Sequence, residues 1–257
     1  MAGSRRMREV ERVRLERQAA RRAAARARAR RRNAAIGAVV SALLVLGAVV
    51  FVAVKLSSGS GSDPASPPRG ALCLYTRPTA APTPARDVGF PPINDIAKKG
   101  SYAATMDTNR GAVTFDLLTA QAPCTTNAIR YLAEKKYFDK TPCHRLTSGG
   151  LSVLQCGDPT GTGSGGPGFV YADENLKGAT YPAGTIAMAN SGPNSNGSQF
   201  FLVYADSELP PSYIPFGKIT SGLDVLMKVA AGGSTPPGDG KPKLPVTINT
   251  FTVAKKS

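Results

Sequence analysis

An uncharged stretch of 21 residues, 34–54, divides this chain of 257 residues close to its N-terminus. The stretch is rich in Ala, Val and Leu, and about 20 apolar residues in a helix are enough to cross the hydrocarbon core of a bilayer. The apolar part of a signal peptide is shorter, at about 7–15 residues. We therefore predict one transmembrane helix over residues 34–54, with a cleaved signal peptide as the alternative.

The segment before this stretch, residues 1–33, is strongly basic because it holds 13 arginines against three glutamates. It therefore carries most of the formal net charge of +15. Lys55 is the only nearby positive charge on the other side, so the positive-inside rule places residues 1–33 in the cytoplasm and the rest of the chain outside. We expect a single-pass protein of the cell membrane, whose arginines set the topology and attract anionic lipid, and we expect no nucleic-acid partner.

Residues 55–100 are predicted to be a linker. Ser and Gly fill its first part, and prolines recur from Pro64 to Pro92. Such a segment stays extended, since proline restricts the backbone and Ser and Gly offer no apolar surface to bury. A short apolar patch around Cys73 interrupts the linker, and we expect this patch to pack against the domain that follows.

All four cysteines, at positions 73, 124, 143 and 156, follow the uncharged stretch. An even number of cysteines in an oxidising compartment favours disulfides, and four cysteines allow three pairings. We favour Cys73–Cys124, which would hold the linker patch on the domain, and Cys143–Cys156, which would join two strands close in sequence. Free buried thiols are the alternative.

Residues 101–257 are predicted to form a domain that is mainly β, and their number is enough for one well-buried core. Residues 112–117 alternate between apolar and polar positions, which indicates a strand with one buried face. Residues 246–253 also predict a strand, but its apolar phase slips between Ile248 and Phe251. Such a slip indicates a bulge or a bend in the strand.

Only two segments of this domain predict helices, residues 125–136 and residues 221–231. The second has Ser221 as a candidate N-cap and places Leu226 and Met227 on an apolar stripe. Many short strands with two helices favour a closed antiparallel sheet with the helices packed over its ends.

Several catalytic arrangements are missing from the sequence. The chain has one histidine, His144, and it lies in no Ser-His-Asp or Cys-His pattern. Ser198 lacks the flanking glycines of a nucleophile elbow, and the glycine-rich loop, residues 161–168, lacks the Gly-Lys-Ser/Thr of a phosphate-binding loop. We therefore expect no metal and no cofactor, and we favour a reaction without a covalent step. His144 is expected to point into the structure.

The most particular segment is residues 186–201, in which a Gly-Pro-Asn turn and an Asn-Gly turn separate two apolar strands. Together with the Cys-His-Arg that ends at Arg145 and the Gln-Cys-Gly-Asp that begins at Gln155, this segment resembles the signature of cyclophilin-type peptidyl-prolyl isomerases. The resemblance covers about residues 101–253, and the whole chain looks like a bacterial membrane-anchored form. It implies an eight-stranded antiparallel closed barrel, capped by two α-helices, with a substrate groove on its outer surface.

The resemblance also implies roles for individual residues. Arg145 would be the catalytic residue, because a charged donor can stabilise the proline nitrogen while the amide twists. The amides of the substrate-binding set would hydrogen-bond the peptide backbone, and its apolar side chains would line the pocket for the pyrrolidine ring. The set implied to bind the substrate is Val153, Gln155, Ala189, Asn190, Ser191, Gln199, Phe201, Leu209 and Tyr213.

The sequence departs from the usual family pattern at the rim of this pocket. The spacing from Arg145 to Gln155 is longer, and Leu209 and Tyr213 stand where the family often has Trp and His. We therefore expect isomerase activity that is kept but modest, acting on proline-containing peptides or unfolded secreted proteins, and weakened binding of cyclosporin-like ligands. A proline-motif adaptor with little catalysis is the alternative. A lipid- or nucleic-acid-binding role for residues 1–33 is a third hypothesis.

Overall fold

The computed structural model describes residues 72–78, 85–94 and 96–256, which belong to one compact unit of the chain. Within these ranges, no helix is long and apolar enough to cross a membrane. The predicted transmembrane helix, residues 34–54, and the basic segment, residues 1–33, lie outside the described residues.

The described ranges contain thirteen strands and two helices, so the domain is mainly β as the sequence predicts. The strands are β1 (Tyr75–Thr76), β2 (Tyr102–Thr108), β3 (Gly111–Leu117), β4 (Thr141–Cys143), β5 (Arg145–Thr147), β6 (Val153–Cys156), β7 (Val170–Tyr171), β8 (Thr185–Met188), β9 (Phe200–Val203), β10 (Pro215–Ser221), β11 (Ser234–Thr235), β12 (Asp239–Pro242) and β13 (Val246–Lys255). The helices are α1 (Pro123–Glu134) and α2 (Leu223–Ala231).

Eleven strands form one antiparallel sheet in the order β11-β12-β5-β6-β9-β8-β10-β3-β2-β13-β4, and β1 and β7 form a separate pair. The predicted closed barrel of eight strands is wrong in strand number and in closure, since this order is open and ends at β11 and β4. The chain turns at His144, so β4 pairs with β13 whereas β5 pairs with β6 and β12. As a result, no ladder among the described residues joins the two ends of the sheet.

Two predictions about single strands are confirmed. In β3, Val113, Phe115 and Leu117 are buried, and the positions between them are only partly covered. In β13, the register against β2 shifts between Ile248 and Thr250. This shift is the irregularity that the apolar phase of the strand indicates.

Helix α1 begins at Pro123. Proline has no N–H group, so this first helical position carries no donor that would need a partner. The residue before it, Ala122, gives the helix no side-chain hydrogen bond. Glu174, which follows β7, takes that role: its carboxylate accepts hydrogen bonds from the backbone N–H groups of Thr125 at 2.6 Å and Cys124 at 3.2 Å. The first turn of α1 is therefore capped by a residue far away in sequence.

Helix α2 begins after Gly222, and the predicted N-cap, Ser221, is wrong. Strand β10 continues to Ser221, and Gly222 then makes the turn with a φ of 86°. A Cβ atom on Gly222 would lie 2.3 Å from the carbonyl oxygen of Ala112, so the turn requires glycine. Met227, predicted to face the core beside Leu226, is 55% exposed.

Both favoured disulfides are confirmed, and the described residues contain no free cysteine. Cys73 is joined to Cys124, and Cys143 is joined to Cys156. The apolar patch packs as expected, since Cys73 and Tyr75 are buried and the Tyr75 hydroxyl donates a hydrogen bond to the carbonyl oxygen of Cys124 at 2.8 Å. Part of the predicted linker therefore lies against the domain.

The buried apolar side chains form two separate clusters. The larger is the core of the domain and includes Phe200 and Leu202 of β9. The smaller, which we call the outer cluster, includes Phe201 and Val203 of the same strand. Successive residues of β9 therefore serve opposite faces of the sheet, as expected for an extended strand.

Candidate active site

One row of cross-strand neighbours brings the predicted functional residues together. Arg145 of β5 lies opposite Gln155 of β6, and Gln155 lies opposite Phe201 of β9. Phe201 in turn lies opposite Ala187 of β8. Residues directly opposite each other on neighbouring strands share one face of a sheet. The pairing register therefore places a cation, an amide and an aromatic ring on the same face.

The guanidinium of Arg145 is held from two sides. Its Nε and Nη2 donate hydrogen bonds to the two carboxylate oxygens of Asp239 on β12, at 2.7 and 2.8 Å, and its Nη1 donates to Oε1 of Gln155 at 3.2 Å. The hydrogen bonds between Arg145 and Asp239 raise the pKa of the arginine and lower that of the aspartate. The arginine is therefore charged and fixed, while 39% of its side chain stays exposed.

Two glutamine amides extend this network along the sheet. Arg145 donates to the oxygen of Gln155, so the nitrogen of that amide points away and donates to Oε1 of Gln199 at 2.9 Å. Nε2 of Gln199 donates to the carbonyl oxygens of Gly163 and Gly165, at 2.9 and 3.0 Å. The network thus has one direction of donation, from the arginine to the glycine-rich loop.

The outer cluster forms an apolar pocket beside this polar row. Val153 and Phe201 are buried in it, and Ala189, Leu209 and Tyr213 are partly buried against them. The rings of Phe201 and Tyr213 meet edge to face, with their centroids 5.5 Å apart. The structure therefore brings together five of the residues that the resemblance implies for substrate binding.

Tyr181 belongs to the same pocket, and the sequence analysis did not identify it. Its hydroxyl donates a hydrogen bond to the carbonyl oxygen of Tyr213 at 2.8 Å and accepts one from the N–H of Tyr213 at 3.1 Å. It thereby fixes the part of the rim that Tyr213 forms. Asp239 was also missed. Both residues lie in segments without a regular apolar pattern, and only the pairing of distant segments reveals them.

Asn190 and Ser191 lie in the turn after β8, and their polar groups bind within the protein. Nδ2 of Asn190 donates to the carbonyl oxygen of Ser212 at 2.8 Å, and its Oδ1 accepts from the N–H of Gly192 at 3.2 Å. The N–H of Ser191 donates to the hydroxyl of Ser195 at 2.9 Å. The amide of Asn190 is therefore engaged in shaping the turn.

The buried carboxylate of Asp158 holds the glycine-rich loop in place. It accepts hydrogen bonds from the N–H groups of Thr160 at 2.8 Å and Gly163 at 2.7 Å. Burial raises the pKa of Asp158, but the hydrogen bonds outweigh burial and leave the pKa below its usual value. Burial also lowers the pKa of His144, which Asp158 offsets only in part. Both ring nitrogens of His144 are buried, so this side chain points inward as predicted.

The site combines one fixed cation, an apolar pocket and a row of amide and backbone groups. No described hydroxyl or thiol lies within hydrogen-bond distance of His144, since neither of its buried ring nitrogens has a partner within the described ranges. Among the residues that the structure describes, no group of three or more His, Cys, Asp or Glu side chains could hold a metal ion. The arrangement can bind a peptide and stabilise a developing lone pair without a covalent step.

The fold and the site together define a mainly β domain with an arginine at the edge of an outer apolar pocket. A family model described as "Cyclophilin type peptidyl-prolyl cis-trans isomerase/CLD" matches residues 103–253, which is more than half of the chain. The chain therefore belongs to this family.

Curated relatives include two mycobacterial proteins, each called "Probable peptidyl-prolyl cis-trans isomerase B". The protein of Mycobacterium leprae is 44% identical over 198 residues, which cover 71% of this chain and 66% of the relative. The protein of Mycobacterium tuberculosis (strain ATCC 25618 / H37Rv) is 42% identical over 197 residues, which cover 70% of this chain and 63% of the relative. The chain thus spans slightly less than two thirds of the length of these relatives.

Solved structures give the same family. A cyclophilin type peptidyl-prolyl cis-trans isomerase of Cryptosporidium parvum is 30% identical, with a TM-score of 0.55, and the match covers 61% of this chain and 99% of that one. A structure of the same protein in the presence of the dipeptide ala-pro has a TM-score of 0.54 and covers 60% of this chain.

Proposed function

We propose that this chain is a peptidyl-prolyl cis-trans isomerase, which accelerates the rotation of X-Pro bonds in polypeptides. The observation that carries the proposal is the guanidinium of Arg145, held by Asp239 and Gln155 at the edge of the outer cluster. Rotation about a peptide bond has a barrier of about 18–20 kcal/mol, because amide resonance is lost in the twisted state. A fixed charged donor aimed at the proline nitrogen stabilises that state, and no covalent intermediate is needed.

An isomerisation assay on the full chain tests this role of Arg145. Removal of one preorganised donor lowers kcat by about 10²- to 10³-fold in other enzymes, so we expect Arg145→Ala to lose most of the rate enhancement. Arg110→Ala, an exposed arginine in the β2–β3 turn, is the matched control and is expected to keep the activity of the unaltered chain. Equal rates for the unaltered chain and Arg145→Ala would contradict the proposal.

A binding module for proline motifs is the second candidate. The bidentate contact with Asp239 favours it, because a paired guanidinium has less charge to offer a substrate. This alternative predicts that peptides bind the outer cluster with measurable affinity while isomerisation proceeds at the uncatalysed rate. Titration of a fluorescent Ala-Pro peptide, run beside the isomerisation assay, separates the two candidates.

Weak binding of cyclosporin-like ligands is part of the proposal. Leu209 contributes an aliphatic side chain to the rim of the outer cluster, where the family often has Trp. An aliphatic side chain buries less surface against a bulky ligand and lacks a ring N–H donor. We expect Leu209→Trp to bind cyclosporin more tightly than the unaltered chain does. Equal affinity of the two proteins, measured by calorimetry, would contradict this.

The last part of the proposal is that the chain is anchored in the cell membrane. It rests on the uncharged residues 34–54, which follow the basic residues 1–33. The two disulfides are in keeping with an oxidising compartment, where unfolded secreted proteins would be the substrates. The expected result is that externally added protease digests residues 101–257 in intact cells. Protection of these residues until the cells are lysed would contradict the proposed orientation.

A further inference from the structure

A cavity of about 640 Å³ lies next to the candidate active site, and part of its wall comes from outside the family domain. The glycine-rich loop forms one side of it, and Thr76, Arg77 and Pro78 contribute to its lining. These three residues precede residues 103–253, which the family model matches. We call residues 72–78 the N-terminal segment. The N-terminal segment, which lies outside the family domain, therefore forms one wall of the cavity.

The N-terminal segment is firmly attached. Its β1 strand pairs with β7, and Cys73 is joined to Cys124. The hydroxyl of Tyr75 also accepts a hydrogen bond from Nδ2 of Asn127 at 3.0 Å. A strand pairing, a disulfide and a buried tyrosine therefore fix the position of the residues that follow, including Arg77.

The cavity is continuous with the candidate active site. Gln155, Gln199 and Ala189 line it, and the same three residues contact or flank the arginine and the outer cluster. A polypeptide with its proline on the outer cluster can therefore continue into this cavity, past the two glutamine amides.

Arg77 is the one charged side chain among the described residues that line the cavity. Its guanidinium lies over the ring of Phe90, 5.3 Å from the centroid, and its Nη1 reaches Asp87 at 3.5 Å. The contact with Asp87 is a single long one, and 61% of the Arg77 side chain is exposed. Two of the described residues thus orient the guanidinium, and its other donors have no partner among the described residues, so they can reach another carboxylate.

We propose that Arg77 selects an acidic side chain in the stretch of the polypeptide substrate that enters this cavity. The inference rests on the proposed function, because it takes the substrate to be a proline-containing polypeptide. Charge complementarity supports it, since the other described side chains that line the cavity are uncharged. The acidic residue lies a fixed number of residues from the proline, on one side of it only.

A peptide series tests the selection. Each peptide has one central Ala-Pro bond and a single Glu, Gln or Lys at varied distances before or after the proline. We expect Glu to raise kcat/KM and affinity over Gln by about two- to fivefold at one position, as measured for exposed ion pairs, and Lys to lower them. The preference should shrink as salt is added, because exposed charges are screened.

Two charge reversals complete the experiment. Arg77→Glu is expected to invert the preference from Glu to Lys peptides. Lys218→Glu makes the same change in net charge on an exposed position of β10 away from the cavity, so it should keep the preference for Glu.

The outcomes separate this inference from the proposed function. Isomerisation that is equally fast for Glu, Gln and Lys at every position, with equal affinities, would overturn the selection by Arg77 and leave the isomerase intact. Retention of the Glu preference by Arg77→Glu would also overturn it. Absence of isomerisation for every peptide would contradict the proposed function, and the equilibrium affinities would then still decide whether Arg77 selects an acidic residue.

Discussion

Arg145 can stabilise a twisted X-Pro bond only if its guanidinium stays in place, and two side chains, Asp239 and Gln155, hold it there. Gln155 lies directly opposite on the next strand, so both the family resemblance and the β5–β6 hairpin predict that it contacts Arg145. Asp239 lies 94 residues further along the chain, and its position depends on the pairing of β12 with β5. No pattern around Asp239 indicates this role, so the sequence yielded the arginine and missed the carboxylate that orients it.

Asp239→Asn is expected to lower kcat on the order of tenfold and to leave KM nearly unchanged. The amide keeps the shape of the carboxylate but loses the charge-assisted bidentate contact, so the guanidinium moves away from the proline nitrogen, and small misplacements reduce rates strongly. Steady-state isomerisation kinetics measure both parameters. Asp224→Asn, which removes the surface contact with Lys228, is the control and should change neither. An unaltered kcat in Asp239→Asn would show that the contact has no positioning role.

The individual elements were predicted well where the pattern is local. Alternation along residues 112–117 correctly predicts a strand with one buried face, which is β3 with Val113, Phe115 and Leu117 buried. The helix starts were predicted less well, because distant groups decide them. Helix α1 is capped by Glu174. Helix α2 starts later than predicted because β10 stays paired with β3 as far as Ser221. Neither cause is visible within the helix sequence itself.

Glu174 gives a prediction about stability and pH. Burial raises its pKa above the usual glutamate value of 4.5, although hydrogen bonds from Thr125 and Cys124 oppose the shift. Between that value and the raised one, the folded protein keeps a proton that the unfolded chain has released. The contribution of Glu174 to the free energy of unfolding is therefore full below pH 4.5 and is lost as pH rises through the raised pKa.

Variants of Glu174 test this linkage by urea denaturation over a pH series. The free energy of unfolding of the unaltered chain, relative to Glu174→Gln, is expected to fall as pH rises from 4.5. Parallel curves for the two proteins would contradict the assignment. Glu174→Ala removes the acceptor for two N–H groups of α1, so we expect it to unfold more easily by about 1–3 kcal/mol.

At the scale of the whole molecule, the sequence predicted the mainly β class and both disulfides. It did not predict the open strand order, because the turn at His144 directs β4 and β5 to different partners. It predicted that the residues around Cys73 pack on the domain, but it did not predict that the residues just after them, Thr76, Arg77 and Pro78, line a cavity. Composition identified the proline-rich character of that region but could not show which of its residues pair with β7.

The Cys73–Cys124 disulfide is expected to contribute both to stability and to the attachment of the N-terminal segment. It links residues 51 positions apart, and a cross-link over such a distance stabilises by about 3–4 kcal/mol through the unfolded state. We expect Cys73→Ala/Cys124→Ala to lose about that amount in urea denaturation and to lose hydrogen-exchange protection in β1.

Cys143→Ala/Cys156→Ala is the matched control for this experiment. Its cross-link spans 13 positions within the β4–β6 region, so it should lower stability while protection in β1 is kept. Protection of β1 that is equal in the two double variants would contradict a specific role for Cys73–Cys124 in attaching the segment.

The cap on α1 also affects the order in which the chain can become structured during synthesis. Glu174 follows Thr125 by 49 residues, so the helix leaves the ribosome before its cap exists, by about 2–10 s at a synthesis rate of about 5–20 residues per second. A helix of this length is marginal alone in water. During that interval its first turn would frequently open, and a nascent chain stalled before residue 174 is expected to show a frayed α1.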